Sequence, residues 1–456
     1  MECCLCLLLG TLVLAAVVAY LLDLTSMTAA INVIKGLFRK QGLVKSLYQV
    51  DAESRKHGGD LVANVLKAHG VTEIFTLCGG HISPILVACQ QRNIKVADVR
   101  HEAAAVFAAD AVARLKQSIG VAAVTAGPGL TNTVTAVKNA QMAESPVLLM
   151  GGAAATALKG RGALQDIDQM SLFKPLCKFT ATVTRVRDTV PILRKAIQVA
   201  RSGKPGPVFV EFPIDSLYPY ALVRKEMGFI AQPKSLQQRL TNFYMDWYIS
   251  RLFNNAFKEQ PLEPLPLHIP LPSASNLSQC VSLLQSARKP LLLIGSQALL
   301  PPIEPNQLAA AVNALGIPCY LGGMARGLLG KSGYLHMRQR RKDALKEADV
   351  VILAGTVCDF RLSYGRVLSR KSKIIAINRD RGELLKNSEL PVKFWQPNVA
   401  IEADVGSTLF ELSQRMQQVK FKVDSEWVNQ LRQWDNEKEQ KNRVQITLND
   451  DIVYKI

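Results

Sequence analysis

A series of short, nearly continuous apolar runs constrains this chain more than anything else in it. They are Gly120–Thr125 (GVAAVT), Pro146–Met150 (PVLLM), Pro207–Phe212 (PVFVEF), Pro290–Ile294 (PLLLI), Val350–Leu353 (VVIL) and Lys373–Ile377 (KIIAI). None alternates polar and apolar residues, so each must be covered on both faces, the condition of a strand inside a parallel sheet. Shorter strand-like runs stand at Thr72–Leu77, Lys95–Val99 and Pro318–Leu321. Helical periods separate them at Asp60–Ala68, Glu102–Arg114 (EAAAVFAADAVAR), Gln307–Leu315 and Lys342–Ala348. A further helix is expected from the Gly127-Pro128-Gly129 turn through Asn139. Alternating strand and helix predicts an α/β protein with two parallel-sheet, three-layer domains.

Five prolines (261, 264, 266, 270 and 272) crowd between the two strand series and read as a linker over 224–275. The expected organisation is therefore a first domain over 50–223, a central Rossmann-like domain over 276–420 and a charged tail over 421–456. No Gly-x-Gly-x-x-Gly fingerprint follows any strand.

The first 25 residues are of another kind. Leu5–Leu22 is 18 residues without a charge, about 27 Å as a helix at ~1.5 Å per residue, close to one hydrocarbon core. Only Glu2 precedes the run as a charge, where a cleaved secretory signal carries Lys or Arg. The expectation is a single transmembrane helix, and Lys35, Arg39, Lys40 and Lys45 beyond it place the body in the cytosol.

Lys plus Arg is 55 against 37 Asp plus Glu, a balance of +18. The densest basic patch, Arg338, Arg340, Arg341 and Lys342, has no aromatic residues interleaved to stack bases. Nucleic acid is therefore not expected as a partner, and acidic substrates or an anionic membrane surface account for the surplus. The nine cysteines show no metal-ligand spacing beyond the apolar N-terminus and no disulfide framework, which suits a reducing compartment. No metal ligand is singled out.

Four segments in order resemble the thiamine-diphosphate enzymes of the acetolactate synthase group. They are Val99-Arg100-His101-Glu102 with the alanines behind it, Thr125-Ala126-Gly127-Pro128-Gly129-Leu130-Thr131-Asn132, Pro146–Gly152 followed by Ala163-Leu164-Gln165-Asp166, and Lys204–Asp215. Together they cover about residues 55–220, and the second α/β unit is similar to that family's central domain. The resemblance implies thiamine diphosphate and Mg²⁺ as cofactors. It also implies a carbon–carbon lyase that cleaves 2-hydroxyacyl-CoA, as in fatty acid α-oxidation, to formyl-CoA and an aldehyde one carbon shorter. Acetolactate-type carboligation of 2-oxo acids is the alternative within the family. A non-catalytic, membrane-bound partner of the full-length enzyme is the alternative outside it. The endoplasmic reticulum membrane is the location the resemblance implies, and an anchor suits long acyl chains.

By the same resemblance Glu102 is the carboxylate that bonds N1′ of the aminopyrimidine. Taken alone it also reads as a helix-start glutamate in the field of the macrodipole. Gly127, Pro128 and Gly129 let backbone approach the cofactor, since glycine reaches positive φ and carries no Cβ. Asn132 either contacts the cofactor or caps a helix. Gln165 matches a glutamine that faces substrate, or is an ordinary loop amide. His81 follows a strand at the carboxyl edge of the sheet, where α/β sites form, and is a candidate acid or base. His101 is expected to orient backbone. Arg326, Arg338, Arg340 and Arg341 are candidates for the CoA phosphates.

The chain also departs from the family pattern. No Gly-Asp-Gly motif for Mg²⁺ and the diphosphate occurs in the 456 residues. The resemblance therefore implies a shortened form that by itself neither retains the cofactor nor turns over, and that works as a homo-oligomer or with a full-length subunit. Asn378 stands where flavin-binding relatives carry an acidic residue, which counts against FAD.

Overall fold

The computed structural model describes residues 48–388 and 394–453. The expected membrane helix at Leu5–Leu22 lies outside them, and among the described residues no helix is long and apolar enough to cross a membrane. The chain divides into two units, 1–267 and 268–456.

The first unit runs α1 (Gly58–Ala68), β1 (Glu73–Leu77), α2 (Ser83–Gln91), β2 (Lys95–Asp98), α3 (Glu102–Lys116), β3 (Gly120–Val124), α4 (Pro128–Thr131), α5 (Val134–Met142), β4 (Val147–Ala153), α6 (Gln169–Phe173), β5 (Thr180–Thr182), α7 (Thr189–Arg201) and β6 (Val208–Pro213). Its six strands are parallel in the order β2-β1-β3-β4-β6-β5. Side chains leave a strand alternately to its two faces. Val121, Ala123, Leu148, Met150, Val208 and Val210 pack one way with α1, α2 and α7. Ala122, Val124, Val147, Leu149 and Phe209 pack the other way with α3 and α5. That two-sided burial is why these strands read as unbroken apolar runs, and it gives the three layers. Gly120 permits the closest approach: a Cβ there would sit 1.9 Å from the Ala109 carbonyl oxygen on α3.

The structure corrects the sequence-based expectations at three places. The helix expected to run from Gly127 to Asn139 is broken into α4 and α5, with a turn at Asn132 and Thr133. The span 224–275 is not a plain linker. After α8 (Ile214–Leu217) and α9 (Tyr220–Glu226) comes the 18-residue α10 (Leu236–Phe253), opened by a Ser235–Gln238 capping box. Ile249, Leu252 and Phe253 on its last turns pack against Tyr220 and Val223. The proline-rich stretch behind it is tied to α7, whose Arg194 and Gln198 side chains donate to the carbonyls of Glu263 (2.8 Å) and Pro266 (2.7 Å). Prolines offer no N–H, so such a segment is held through its carbonyl oxygens.

The second unit runs α11 (Ala274–Gln285), β7 (Pro290–Ile294), α12 (Pro305–Leu315), β8 (Cys319–Leu321), α13 (Arg341–Glu347), β9 (Val350–Ala354), β10 (Lys373–Asn378), α14 (Arg381–Leu384), β11 (Val399–Glu402), α15 (Val405–Gln418) and α16 (Ser425–Val453). Its five parallel strands stand in the order β11-β10-β9-β7-β8. Residues 421–456 are more than a charged tail, which is the third correction. Trp427, Val428 and Leu431 on α16 join the core under Leu291, Val351 and Leu353. The Trp427 Nε1–H donates to the Pro290 carbonyl at 3.0 Å.

Candidate active site at the carboxyl edge of the first sheet

Each residue of the first unit that the sequence singles out lies past the carboxyl end of a strand. His81 follows β1, Glu102 follows β2, and Gly127 to Asn132 follow β3. Gln165 lies in the loop from β4 to α6.

His101 is the N-cap of α3, its Nδ1 accepting the Ala103 N–H at 3.1 Å, so it does orient backbone. Glu102 is the first helical residue, where the macrodipole favours a carboxylate, and it is 7% exposed. The Asn132 side-chain amide donates to its Oε2 at 2.9 Å. Asn132 therefore does not cap α5, whose N-cap is Thr133. The other oxygen, Oε1, lies 3.6 Å from where a Cβ on Gly129 would stand.

Gly127 has φ 60 and ψ −114, a conformation closed to residues with a Cβ, and a Cβ there would fall 2.9 Å from Gln165. Thr125 sits at the centre of the cluster. Its methyl group would be 2.8 Å from a Cβ on Gly129, and its hydroxyl lies 3.2 Å from the His81 Nδ1. Burial holds the His81 pKa below its ordinary value, favouring the neutral imidazole. Gly152 leaves room for that side chain, since a Cβ there would be 2.4 Å from the His81 Cβ. Glu102, Gly129, Asn132, Thr125 and His81 are thus one connected group, and Gly127 with Gln165 adjoins it.

The loop between β4 and α6 is held by contacts that no sequence motif announces. The Thr156 N–H donates to the Asp215 carboxylate at 3.2 Å, and the Tyr248 hydroxyl donates to the same group at 2.5 Å. Burial raises the Asp215 pKa against these hydrogen bonds. Lys159 Nζ reaches the fully buried Glu211 carboxylate at 2.6 Å. Gln169, also buried, takes the Gly127 N–H on its Oε1 at 2.8 Å. Glu211 lies within the apolar run PVFVEF of the Lys204–Asp215 segment, and a charge inside a strand buried on both faces is a signal that could have singled it out.

The thiols are ordinary by comparison. Burial pushes Cys89, Cys177, Cys280, Cys319 and Cys358 up to about 12, which leaves them unreactive near neutrality. Among the described residues no cluster of His, Cys, Asp and Glu could hold a metal ion.

In the second unit a cavity of about 670 Å³ is lined by Arg326, Lys331, His336, Arg338 and Arg341. Arg340, expected with them, turns to Asp343 at 2.9 Å and lies over the Trp434 ring. Asn378, at the end of β10, spends its Oδ1 on Gln297 and on the Asp380 N–H, both at 2.9 Å.

A buried carboxylate at a helix start, with a glycine turn open to one of its oxygens, fits the aminopyrimidine end of thiamine diphosphate. Comparison with known proteins agrees. Residues 56–172 match the thiamine pyrophosphate enzyme N-terminal TPP binding domain, and residues 277–412 match the central domain of the same enzymes. The chain belongs to the thiamine pyrophosphate enzymes, of which it carries these two domains.

Within that family it is 59% identical over 420 residues to 2-hydroxyacyl-CoA lyase 2 of Caenorhabditis elegans, covering 92% of this chain and 64% of that protein. It is 58% identical over 394 residues to 2-hydroxyacyl-CoA lyase 2 of Homo sapiens, covering 86% and 62%. A more distant relative is the acetolactate synthase large subunit IlvG of Mycobacterium tuberculosis, 32% identical over 323 residues, covering 71% and 53%. The chain thus spans less than two thirds of the length of these relatives.

Proposed function

We propose that this chain serves a thiamine-diphosphate-dependent lyase that splits 2-hydroxyacyl-CoA into formyl-CoA and an aldehyde one carbon shorter. The observation that carries the reading is the buried Glu102 carboxylate, bonded by Asn132 and open towards Gly129, in a chain 58–59% identical to proteins named for that activity. When bound, the cofactor supplies the electron sink for breaking the bond between carbons one and two. In the proposed site the Glu102 carboxyl would share a proton with N1′ of the aminopyrimidine, and Gly127 and Gly129 would admit the ring against backbone. Cleavage takes a proton from the substrate hydroxyl and delivers one to carbon one of the thioester. We assign the movement of such a proton to His81, whose burial favours the neutral imidazole and whose Nδ1 lies 3.2 Å from the Thr125 hydroxyl. Gln165, which adjoins the Gly127 turn, is by the family resemblance the glutamine offered to the substrate.

The cationic cavity in the second unit suits the phosphates of CoA. By the family resemblance, Mg²⁺ and the diphosphate are held by residues of a partner subunit. The apolar Leu5–Leu22 segment supports attachment to a membrane, that of the endoplasmic reticulum in our reading, and with it long-chain substrates.

The reading is tested by co-expressing this chain with the intact Caenorhabditis elegans 2-hydroxyacyl-CoA lyase 2 and following formyl-CoA from a long-chain 2-hydroxyacyl-CoA. The wild-type chain is expected to sustain the rate of the mixture, and the Glu102→Gln chain to lower it at least twofold. Identical rates with both chains, or turnover by this chain alone that is indifferent to Glu102→Gln, would overturn the proposal.

A further inference from the structure

We propose that Gln169 is a positioning residue of the candidate site: it fixes the Gly127 turn, and through that turn the Asn132–Glu102 pair, from an anchor made by Glu211 and Lys159. The significance of the turn rests on the reading above; the hydrogen-bond network does not.

The Gln169 amide is committed at every polar position. Its Oε1 accepts the Gly127 N–H at 2.8 Å, while its Nε2 donates to the Gly152 carbonyl at 3.1 Å and to Glu211 Oε1 at 2.8 Å. Turning the amide over would set its oxygen against two acceptors and its NH₂ against a donor, so one orientation is enforced. Glu211 is fully buried and accepts three hydrogen bonds, from Gln169, from the Thr182 hydroxyl at 2.8 Å and from Lys159 Nζ at 2.6 Å. A buried carboxylate with an ammonium partner is a fixed reference point, because moving either group strands a charge.

The turn needs such a reference. Gly127 has an unusual conformation, and its carbonyl receives the N–H groups of Leu130 (3.0 Å) and Thr131 (3.0 Å). Any shift of its peptide therefore travels into α4 and on to Asn132, whose amide holds Glu102. Gln169 also lies four residues after Gln165, so the same segment that presents Gln165 locks the turn beside it.

The competing account is that Gln169 only fills volume. Two variants of the full chain separate the accounts without added cofactor, so a failure of the functional reading stays distinct from a failure of this one. Gln169→Met keeps volume and removes the polar contacts. It is expected to speed hydrogen exchange at the Gly127 amide at least tenfold and to shift the Asn132 side-chain signal in ¹⁵N-asparagine spectra. Exchange at Ala122 and Leu149 should stay as in the wild type.

Gln169→Glu supplies a pH readout that packing alone does not imitate. The groups facing the introduced carboxyl are Glu211, the Gly127 N–H and the Gly152 carbonyl, with Lys159 behind Glu211. While the two carboxyls share a proton, the introduced acid can accept from Gly127 and donate to Glu211 as the amide does. Once both ionise they repel. Gly127 exchange, corrected for its intrinsic rate, should climb with pH in this variant and stay flat in the wild type. Unchanged Gly127 exchange in Gln169→Met, exchange rising equally through β3 and β4, or a flat profile in Gln169→Glu would each overturn the proposal.

Discussion

At the scale of single residues, the site depends on which lone pair each donor serves. Asn132 illustrates this, because its helix-cap and site readings differ only in where the side-chain amide points. The amide donates to Glu102 Oε2, at a helix start where the macrodipole also favours a carboxylate. Asn132→Asp should expose that arrangement, since it sets a second carboxylate in place of the donor. Where both ionise they repel at hydrogen-bond distance, and at lower pH one proton shared between them relieves it. The unfolding free energy of Asn132→Asp, read from urea denaturation, is expected to fall below the wild type by more at pH 8 than at pH 5, with a difference of about 1.5 kcal/mol, the low end of the scale of a charge-assisted hydrogen bond. An equal deficit at both values would mean the amide does not face Glu102. Glu102, Gly127 and Asn132 are legible in the sequence because they stand in compact motifs. Gln169 and Lys159 are not, and Glu211, although it stands in the Lys204–Asp215 segment, gives no sign of its partners, because 42 and 52 residues of chain separate them. Only the fold brings β6 beside β4.

At the scale of elements, strands buried on both faces announce themselves, and elements that bury one short stripe do not. β3, β4, β6, β7, β9 and β10 stand within a residue or two of their apolar runs, save that β4 runs on through Gly151 and Gly152 to Ala153. The edge strand β5 is three residues long, all half-buried, and leaves no run to read. α10 is masked by the prolines behind it, and α16 by its charges. In the first turns of α16 Trp427 is 1% exposed and Trp434 packs beside the same core, while among the described side chains Val444 further along is 61% exposed. Those first turns, and not the helix as a whole, should carry its contribution. Trp427→Ala removes a buried ring and strands the Pro290 carbonyl it bonds, a loss of about 3–5 kcal/mol by the usual measure of buried aromatic truncation. Val444→Ala should change stability by less than about 0.5 kcal/mol. Urea unfolding of both variants checks this, and comparable losses in the two would show that α16 docks along its length.

At the scale of the whole molecule, the two sheets and the edge that bears the site can be read from the chain alone, because both follow from strand order and strand burial. The balance of +18 sets a further property that no single motif reveals. Of six histidines, four have pKa values held below the ordinary 6.5, with burial the leading cause in each: His57, His69, His81 and His336. Neighbouring arginines add to burial for His57, His69 and His336. A base whose folded pKa is depressed contributes stability that is fully present above its unfolded value. As pH falls below about 6.5 the unfolded chain takes up protons that the folded chain refuses, and stability drops until the folded values are passed. Each proton so withheld steepens the fall by about 1.4 kcal/mol per pH unit, and four is the ceiling for these groups. Asp215, raised by burial, works in the opposite direction, but it is one group and starts from a carboxylate value below the histidine window. Added positive charge on a chain already at +18 reinforces the loss. The urea midpoint should therefore decline as pH falls through about 6.5, and replacing His57, His69 and His81 together with Gln should flatten that slope. A midpoint constant or rising over this range would mean that these rings take up protons in the fold as readily as outside it.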